Sequence, residues 1–157
     1  GASADGSASL WEPRVGPTPT ARFGHAGSGE LLSVDWCKYD PFRFAAAGVD
    51  QCVRVWDVRS MGAPLAVLSG QHTLAIRSVR WSPHVASLLL TCSYDGSICL
   101  CDTDADAEGS GGRQQLIGRW SHHGGQYVAA AEFSLFEEGV GLSCGFDHQL
   151  CRWHLAG

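Results

Sequence analysis

Counting back from Asp147-His148-Gln149-Leu150-Cys151-Arg152-Trp153, one short phrase recurs along the chain, at Asp95 to Cys101, Asp50 to Trp56 and Asp5 to Trp11. Each copy opens on Asp and carries Trp, or Cys in one case, six residues later. Asp5 to Asp50, Asp50 to Asp95, Trp11 to Trp56 and Trp56 to Cys101 are all 45 positions apart. The chain is therefore an array of one repeated unit, and a period in the low to middle forties is that of a four-stranded propeller blade.

The last step, Asp95 to Asp147, is 52 positions. Its extra residues have an obvious source in the acidic, Gly-rich run from Asp102 to Gly112, which reads as an enlarged surface loop. The resulting expectation is an all-β, partial β-propeller, a single domain over 1–157 with about three four-stranded antiparallel blades. Residues 1–25 form the end of a preceding blade and a connection, 26–70 the first blade, 71–121 the second with the loop 102–112, and 122–157 a third that lacks its fourth strand. A closed ring needs about four to eight blades. The array also opens in mid-unit, and the only Met is Met61, so a fragment is expected. An open wedge would expose apolar sheet faces and unpaired edges, and should associate when isolated.

Within the first unit, Leu32 to Cys37 alternates as a strand and Tyr39-Asp40-Pro41 turns it. Phe44 to Ala47, Cys52 to Trp56 and Pro64 to Ser69 supply three further strands, with a tight turn at Gly48 to Gln51. The second unit repeats this with Ile76 to Trp81, Ser87 to Cys92, Ser97 to Cys101 and Gln114 to Trp120. The third has Val128 to Phe133, Val140 to Cys144 and Gln149 to Trp153. Aromatics that close the first strand (Trp36, Trp81, Phe133) and the third (Trp56, Trp153) are expected in the core between blades.

Charge narrows the possible partners. A net charge of −5, with Lys38 the single lysine, leaves no basic stripe to follow phosphates, so nucleic acid is not expected. No apolar run reaches the roughly 18 residues that would cross a bilayer, and direct membrane insertion is not expected. The seven cysteines form no Cys-x-x-Cys pair, and Cys92 with Cys144 and Cys99 with Cys151 fall on equivalent repeat positions. They read as small buried strand residues with free thiols in a reducing compartment.

Each unit also carries a His ahead of its first strand (His25, His72, His123) and an Asp in its second turn (Asp50, Asp95, Asp147). Ser143 and Trp153 complete a set of four in the third unit. The pattern resembles the WD40 family, in which His, Ser or Thr, Asp and Trp form a buried hydrogen-bond chain that ties the loop between blades to the turn within one. His123, Ser143, Asp147 and Trp153 match all four positions. The first unit offers His25, Asp50 and Trp56, with Ala46 where the hydroxyl belongs; the second offers His72, Thr91 and Asp95, with Cys101 in place of Trp. The second blade is therefore expected to be the loosest.

Other chemistries fit less well. His123, Ser143 and Asp147 could be read as a hydrolase triad, yet these groups recur at a fixed period, and no Gly-x-Ser-x-Gly elbow is present. Asp102-x-Asp104-x-Asp106 begins like a calcium loop but has Ala107 where Gly is needed and Arg113 where a bidentate acid is needed. His122-His123 reads as a turn pair with one buried member. No Gly-Lys-Ser/Thr occurs, which excludes a phosphate-binding loop. No metal, no cofactor and no catalytic residue are expected.

More particular wording comes from Leu31 to Tyr39, Gln71 to His84, Leu90 to Asp95, and His122-His123 ahead of Glu132-Phe-Ser-Leu135. Over residues 30 to 155 these segments resemble the receptors for the type 2 peroxisomal targeting signal. That resemblance implies a cytosolic receptor that binds cargo proteins through an N-terminal helical Arg/Lys-Leu-x5-His/Gln-Leu signal. It also implies delivery to the peroxisome with an import co-receptor and docking proteins. A helix with one cation and leucine anchors wants a partly acidic, partly apolar groove, expected on the face of the His loops and Asp turns. Glu30, Asp35 and Glu132 are the candidates for the cation, and Leu74, Ala75 and Tyr127 for apolar contact. Gln71 interrupts the usual Gly-His pair of the family. The alternative is a WD40 scaffold of the histone-chaperone or ubiquitin-ligase adaptor kind, which shares the phrases around Trp36 and Trp81-Ser-Pro83.

Overall fold

A computed structural model describes residues 1–24, 29–104 and 116–155, and among them every regular element is a β-strand. The elements are β1 (Ser7–Leu10), β2 (Ala21–Gly24), β3 (Leu31–Trp36), β4 (Arg43–Gly48), β5 (Val53–Asp57), β6 (Ala66–Leu68), β7 (Ile76–Trp81), β8 (Leu88–Ser93), β9 (Ile98–Asp102), β10 (Leu116–Trp120), β11 (Val128–Phe133), β12 (Val140–Gly145) and β13 (Leu150–His154). They form antiparallel meanders: a two-stranded sheet β1-β2, two four-stranded sheets β3 to β6 and β7 to β10, and a three-stranded sheet β11 to β13. This is a partial β-propeller. The stretch expected to be a connection before residue 26 holds a strand of its own, β2.

Repeat equivalence carries through to the turns. The residue after each turn aspartate has positive φ: Gly6 at 79°, Gln51 at 65°, Gly96 at 82° and His148 at 62°. Two turns use glycine, which adopts this conformation freely; Gln51 and His148 adopt it at a steric cost.

Neighbouring sheets face one another through three core clusters. Ala45, Ala47, Val53 and Val55 of the first full blade meet Val79, Trp81, Leu89 and Cys101 of the second. The other face of the second blade, with Leu90, Cys92, Ile98 and Leu100, meets Val128, Ala131, Phe133 and Trp153 of the third. Phe44, Ala46 and Trp56 pack on Ala8 and Phe23 of the two-stranded sheet. The second blade thus has both faces covered. Cys101, at the place of the missing Trp, is buried, and packing on both faces of this blade opposes the loosening expected from the smaller side chain.

Trp36 departs from the expected core position. Trp81 and Phe133 are buried, whereas Trp36 is 40% exposed. It lies edge-on to Phe44 beside an apolar cavity of about 250 Å³ lined also by Leu10, Trp11 and Phe23, because the two-stranded sheet on that side leaves it partly uncovered. At the opposite end of the array, Leu142 and Leu150 stand where Leu90 and Ile98 stand in the second blade, yet they are exposed. Four of the seven cysteines (Cys37, Cys92, Cys99, Cys101) are buried as expected, while Cys52, Cys144 and Cys151 are half-buried.

Polar links bridge the sheets at their first strands. The Tyr39 hydroxyl donates to the Pro83 carbonyl at 2.7 Å, and His84 Nε2 donates to the Ser134 carbonyl at 2.8 Å, from equivalent turns of successive blades.

Candidate functional site

In the third blade the four matched residues form one continuous chain. His123 Nδ1 lies 2.9 Å from both Asp147 carboxylate oxygens, and Nε2 lies 2.9 Å from Ser143 Oγ. Trp153 Nε1 donates to the same hydroxyl oxygen at 3.1 Å. The partners assign the tautomer: Nδ1–H donates to the carboxylate, Nε2 accepts the serine hydroxyl, and the serine oxygen accepts the indole. Ser143 is 2% exposed and its bonding capacity is taken up by structural partners, so the set ties the loop at His123 to the turn at Asp147.

The second blade builds a denser version. His72 Nε2 lies 2.8 Å from Thr91 Oγ1, and Nδ1 faces Asp95 at 3.2 Å and Ser97 Oγ at 3.0 Å. With Cys101 supplying no indole, the Thr91 hydroxyl also approaches the Cys99 carbonyl at 3.3 Å. Asp95 accepts from the Ser97 hydroxyl at 2.6 Å and from the backbone N–H groups of Thr73 and Ser97, each at 2.9 Å. Burial pushes the Asp95 carboxyl upward, but those hydrogen bonds outweigh it and hold the carboxyl below its ordinary range. Burial also lowers the His72 pKa, against the pull of Asp95. In the first blade, His25 lies outside the described residues. Among the described residues Asp50 pairs with Arg54, whose Nη1 is 2.5 Å from Oδ2, and Arg54 occupies the register of Cys99 and Cys151.

Ser97, Arg119 and Arg54 are partners that the sequence reading missed. One signal was available: Asp5-Gly6-Ser7 repeats Asp95-Gly96-Ser97, and both serine hydroxyls bond their aspartate at 2.6 Å. Arg22 and Arg119, paired across their strands with Ser9 and Cys99, also approach the two aspartates equivalently, at 3.9 and 3.4 Å.

The six candidate contact residues divide between two places. Glu30, Ala75 and Tyr127 are equivalent and sit on the face of the Asp turns. Their carbonyls accept the N–H groups of Val49, Tyr94 and Phe146 at 3.0, 3.1 and 2.9 Å. Leu74 is beside them in sequence, 45% exposed. The Tyr127 ring lies 5.3 Å from Tyr94 and 5.8 Å from Phe146, and Tyr127 and Phe146 are 49% and 60% exposed. Ser93 fixes this edge, since its hydroxyl approaches the Leu74 and Ala75 carbonyls at 3.0 and 2.9 Å.

Asp35 and Glu132 lie further along the first strands β3 and β11, in the register that Arg80 holds in β7. Both are engaged. Asp35 accepts the Trp81 N–H at 2.7 Å and Lys38 Nζ at 2.8 Å; Glu132 accepts Arg80 Nε at 2.7 Å. Glu30 is exposed and makes no ion pair with a described residue. Of the acidic run, residues 105–112 lie outside the described residues. Among those described, no group of three or more His, Cys, Asp or Glu is placed to hold a metal ion.

A family model described as "WD domain, G-beta repeat" matches residues 17–57 and 62–102, more than half of the chain. Each matched segment takes the outermost strand of one sheet, β2 or β6, and the first three strands of the next. The chain is 27% identical over 187 residues to the peroxisomal targeting signal 2 receptor of Saccharomyces cerevisiae, covering 99% of this chain and 48% of that protein. It is 39% identical over 94 residues to peroxisome biogenesis protein 7 of Arabidopsis thaliana, covering 60% and 27%. It is likewise 39% identical over 124 residues to coronin-7 of Bos taurus, covering 73% and 13%. The chain spans under half the length of each of these relatives.

Proposed function

The chain belongs to the WD40 family, and on that premise we propose that it carries part of the cargo-binding face of a receptor for N-terminal type 2 peroxisomal targeting signals. Binding is non-covalent and the signal docks as a helix. In Arg/Lys-Leu-x5-His/Gln-Leu the two leucines are seven residues apart, on one face of a helix and about 10 Å from each other. Such a helix needs apolar contact over about two turns, with a carboxylate at one end for its cation.

The observation that carries this reading is the ring cluster of half-buried Tyr94 with exposed Tyr127 and Phe146, with Leu74 and the uncommitted Glu30 on the same face. Aromatic rings of this kind supply large contact area at low entropic cost, which suits leucine anchors. Three of the six contact candidates, Glu30, Leu74 and Tyr127, fit this role directly. Ala75 contributes through its backbone, and Asp35 and Glu132 are already paired. The names of two relatives support the same reading. Cargo proteins, an import co-receptor and docking proteins are then the partners, and the working cycle runs between cytoplasm and peroxisome.

The second reading is a WD40 scaffold that binds other proteins without reading a targeting signal, and similarity to coronin-7 over 73% of the chain favours it. Titrating the intact protein with a fluorescent type 2 signal peptide and a Leu→Arg control peptide decides between them. Preference for the unmodified peptide, weakened by about tenfold in Tyr127→Ala, is the expected result. Equal binding to both peptides, or to neither, leaves the scaffold.

A further inference from the structure

The Ala75-Ile76-Arg77 phrase leads into a second feature, away from the ring cluster. A cleft of about 400 Å³ opens between the first strands β3, β7 and β11, lined by Leu32, Ser33, Arg77, Ser78, Arg80 and Ala130. No acidic side chain is among its described lining residues. Arg77 shares its register with Leu32 and Ala129, neither of which can neutralise it, and it makes no ion pair with a described residue. Arg80 gives Nε to Glu132 and Nη1 to Ser33 Oγ and the Val79 carbonyl. Arg77 is thus the one guanidinium of the cleft without a carboxylate partner among the described residues.

Ser78 supplies the independent sign of a ligand. It is 5% exposed, and its hydroxyl has no hydrogen-bond partner among the described residues. The equivalent hydroxyl of Ser33 accepts the Val79 N–H at 3.2 Å from the next sheet. A buried hydroxyl left without a partner is costly, so a group arriving from outside that accepts from Ser78 and from Arg77 would satisfy both. An oxyanion does this: a guanidinium offers parallel N–H groups to two oxygens, and the hydroxyl offers one more donor.

We propose that the cleft between β3, β7 and β11 binds an oxyanion carried by a peptide, a carboxylate or a phosphate, through Arg77 and Ser78. Arg80, its charge already met by Glu132, borders the site, so Arg77 is the guanidinium that the anion must pair with. The cation of a targeting helix would be repelled here, so this site is distinct from the one proposed above and does not depend on it.

The test uses the intact protein and two fluorescein-labelled peptides of one sequence, one with glutamate and one with phosphoserine at the anchoring position. A version with serine there is the neutral control. At least one anionic peptide should bind better than the neutral one. That binding should weaken at least tenfold in Arg77→Gln and severalfold in Ser78→Ala, and stay unchanged in Arg14→Gln. Arg77 is exposed, so Arg77→Gln should leave the far-ultraviolet circular dichroism and the melting temperature unaltered, which separates loss of the site from loss of the fold. The tighter of the two anionic peptides identifies the oxyanion. Failure of both to exceed the neutral control, or equal binding by Arg77→Gln and wild type, overturns the proposal.

Discussion

Asp35 and Trp81 are joined across the gap between two sheets, the Asp35 carboxylate accepting the Trp81 backbone N–H at 2.7 Å. Together with the bond from the Val79 N–H to Ser33 Oγ, it makes a short side-chain-to-backbone ladder along the first strands. Asp35→Ala should destabilise the protein by about 1–3 kcal/mol, because a partly buried N–H loses its acceptor. Asp35→Asn keeps a carbonyl oxygen there and should cost less. Urea midpoints of the two variants measure the difference.

The turn after each aspartate distinguishes glycine from other residues. At Gly96 a Cβ would also lie 2.8 Å from the Gly125 backbone carbonyl carbon, so Gly96→Ala should cost at least 2 kcal/mol in conformation and clash together, roughly. Gln51→Gly relieves a left-handed non-glycine residue, at the expense of unfolded-chain entropy, and should be neutral or stabilising by up to about 1 kcal/mol. Thermal melts of the two variants should therefore move in opposite directions, or Gln51→Gly not at all.

Acid should loosen the second blade before the carboxylates titrate. Burial lowers the His72 pKa below its ordinary 6.5, so the unfolded chain takes up this proton at a pH where the folded chain does not. The stability from neutral His72 is complete above about pH 6.5 and is lost as pH falls through the folded value. Asp95, whose carboxyl is held low, adds a second loss only at more acidic pH. Between pH 7 and pH 5 the urea midpoint should fall for the wild type, and fall less steeply for His72→Gln from its lower starting point.

Burial pushes the Cys92 and Cys101 thiols up to about 12 and that of Cys99 up to about 11. A thiolate is the reactive form, so these three should resist iodoacetamide at pH 8 until their sheet opens. The half-buried Cys144 and Cys151 of the third blade should be labelled first, as read by mass spectrometry of timed samples. Protection of this kind follows from the second blade being covered on both faces, and amide exchange should rank the same sheet slowest.

The repeat was legible because its period is carried by residues with fixed local work: an aspartate that closes a turn, and a His and a hydroxyl that meet it. Strand order and most strand bounds followed from that. What stayed hidden depends on which way a side chain faces once sheets are stacked. Each first strand contains a register shift, between Leu31 and Ser33, Ile76 and Ser78, and Val128 and Ala130. A bulge of this kind sends later side chains to the opposite face, so simple alternation misassigns them. Asp35 and Glu132, further along their strands than Glu30, reach the neighbouring blade instead of the turn face. Arg54 was passed over for a similar reason: its role exists only because it stands in a column occupied by cysteine in the neighbouring units.

Around the first strands, one register holds Asp35, Arg80 and Glu132 in turn, so the sign of charge alternates from unit to unit. Shuffling the second and third units by genetic permutation would set two acids side by side and strand a guanidinium at the end of the row. The units share one strand pattern, but this column works as a key that prescribes their sequence.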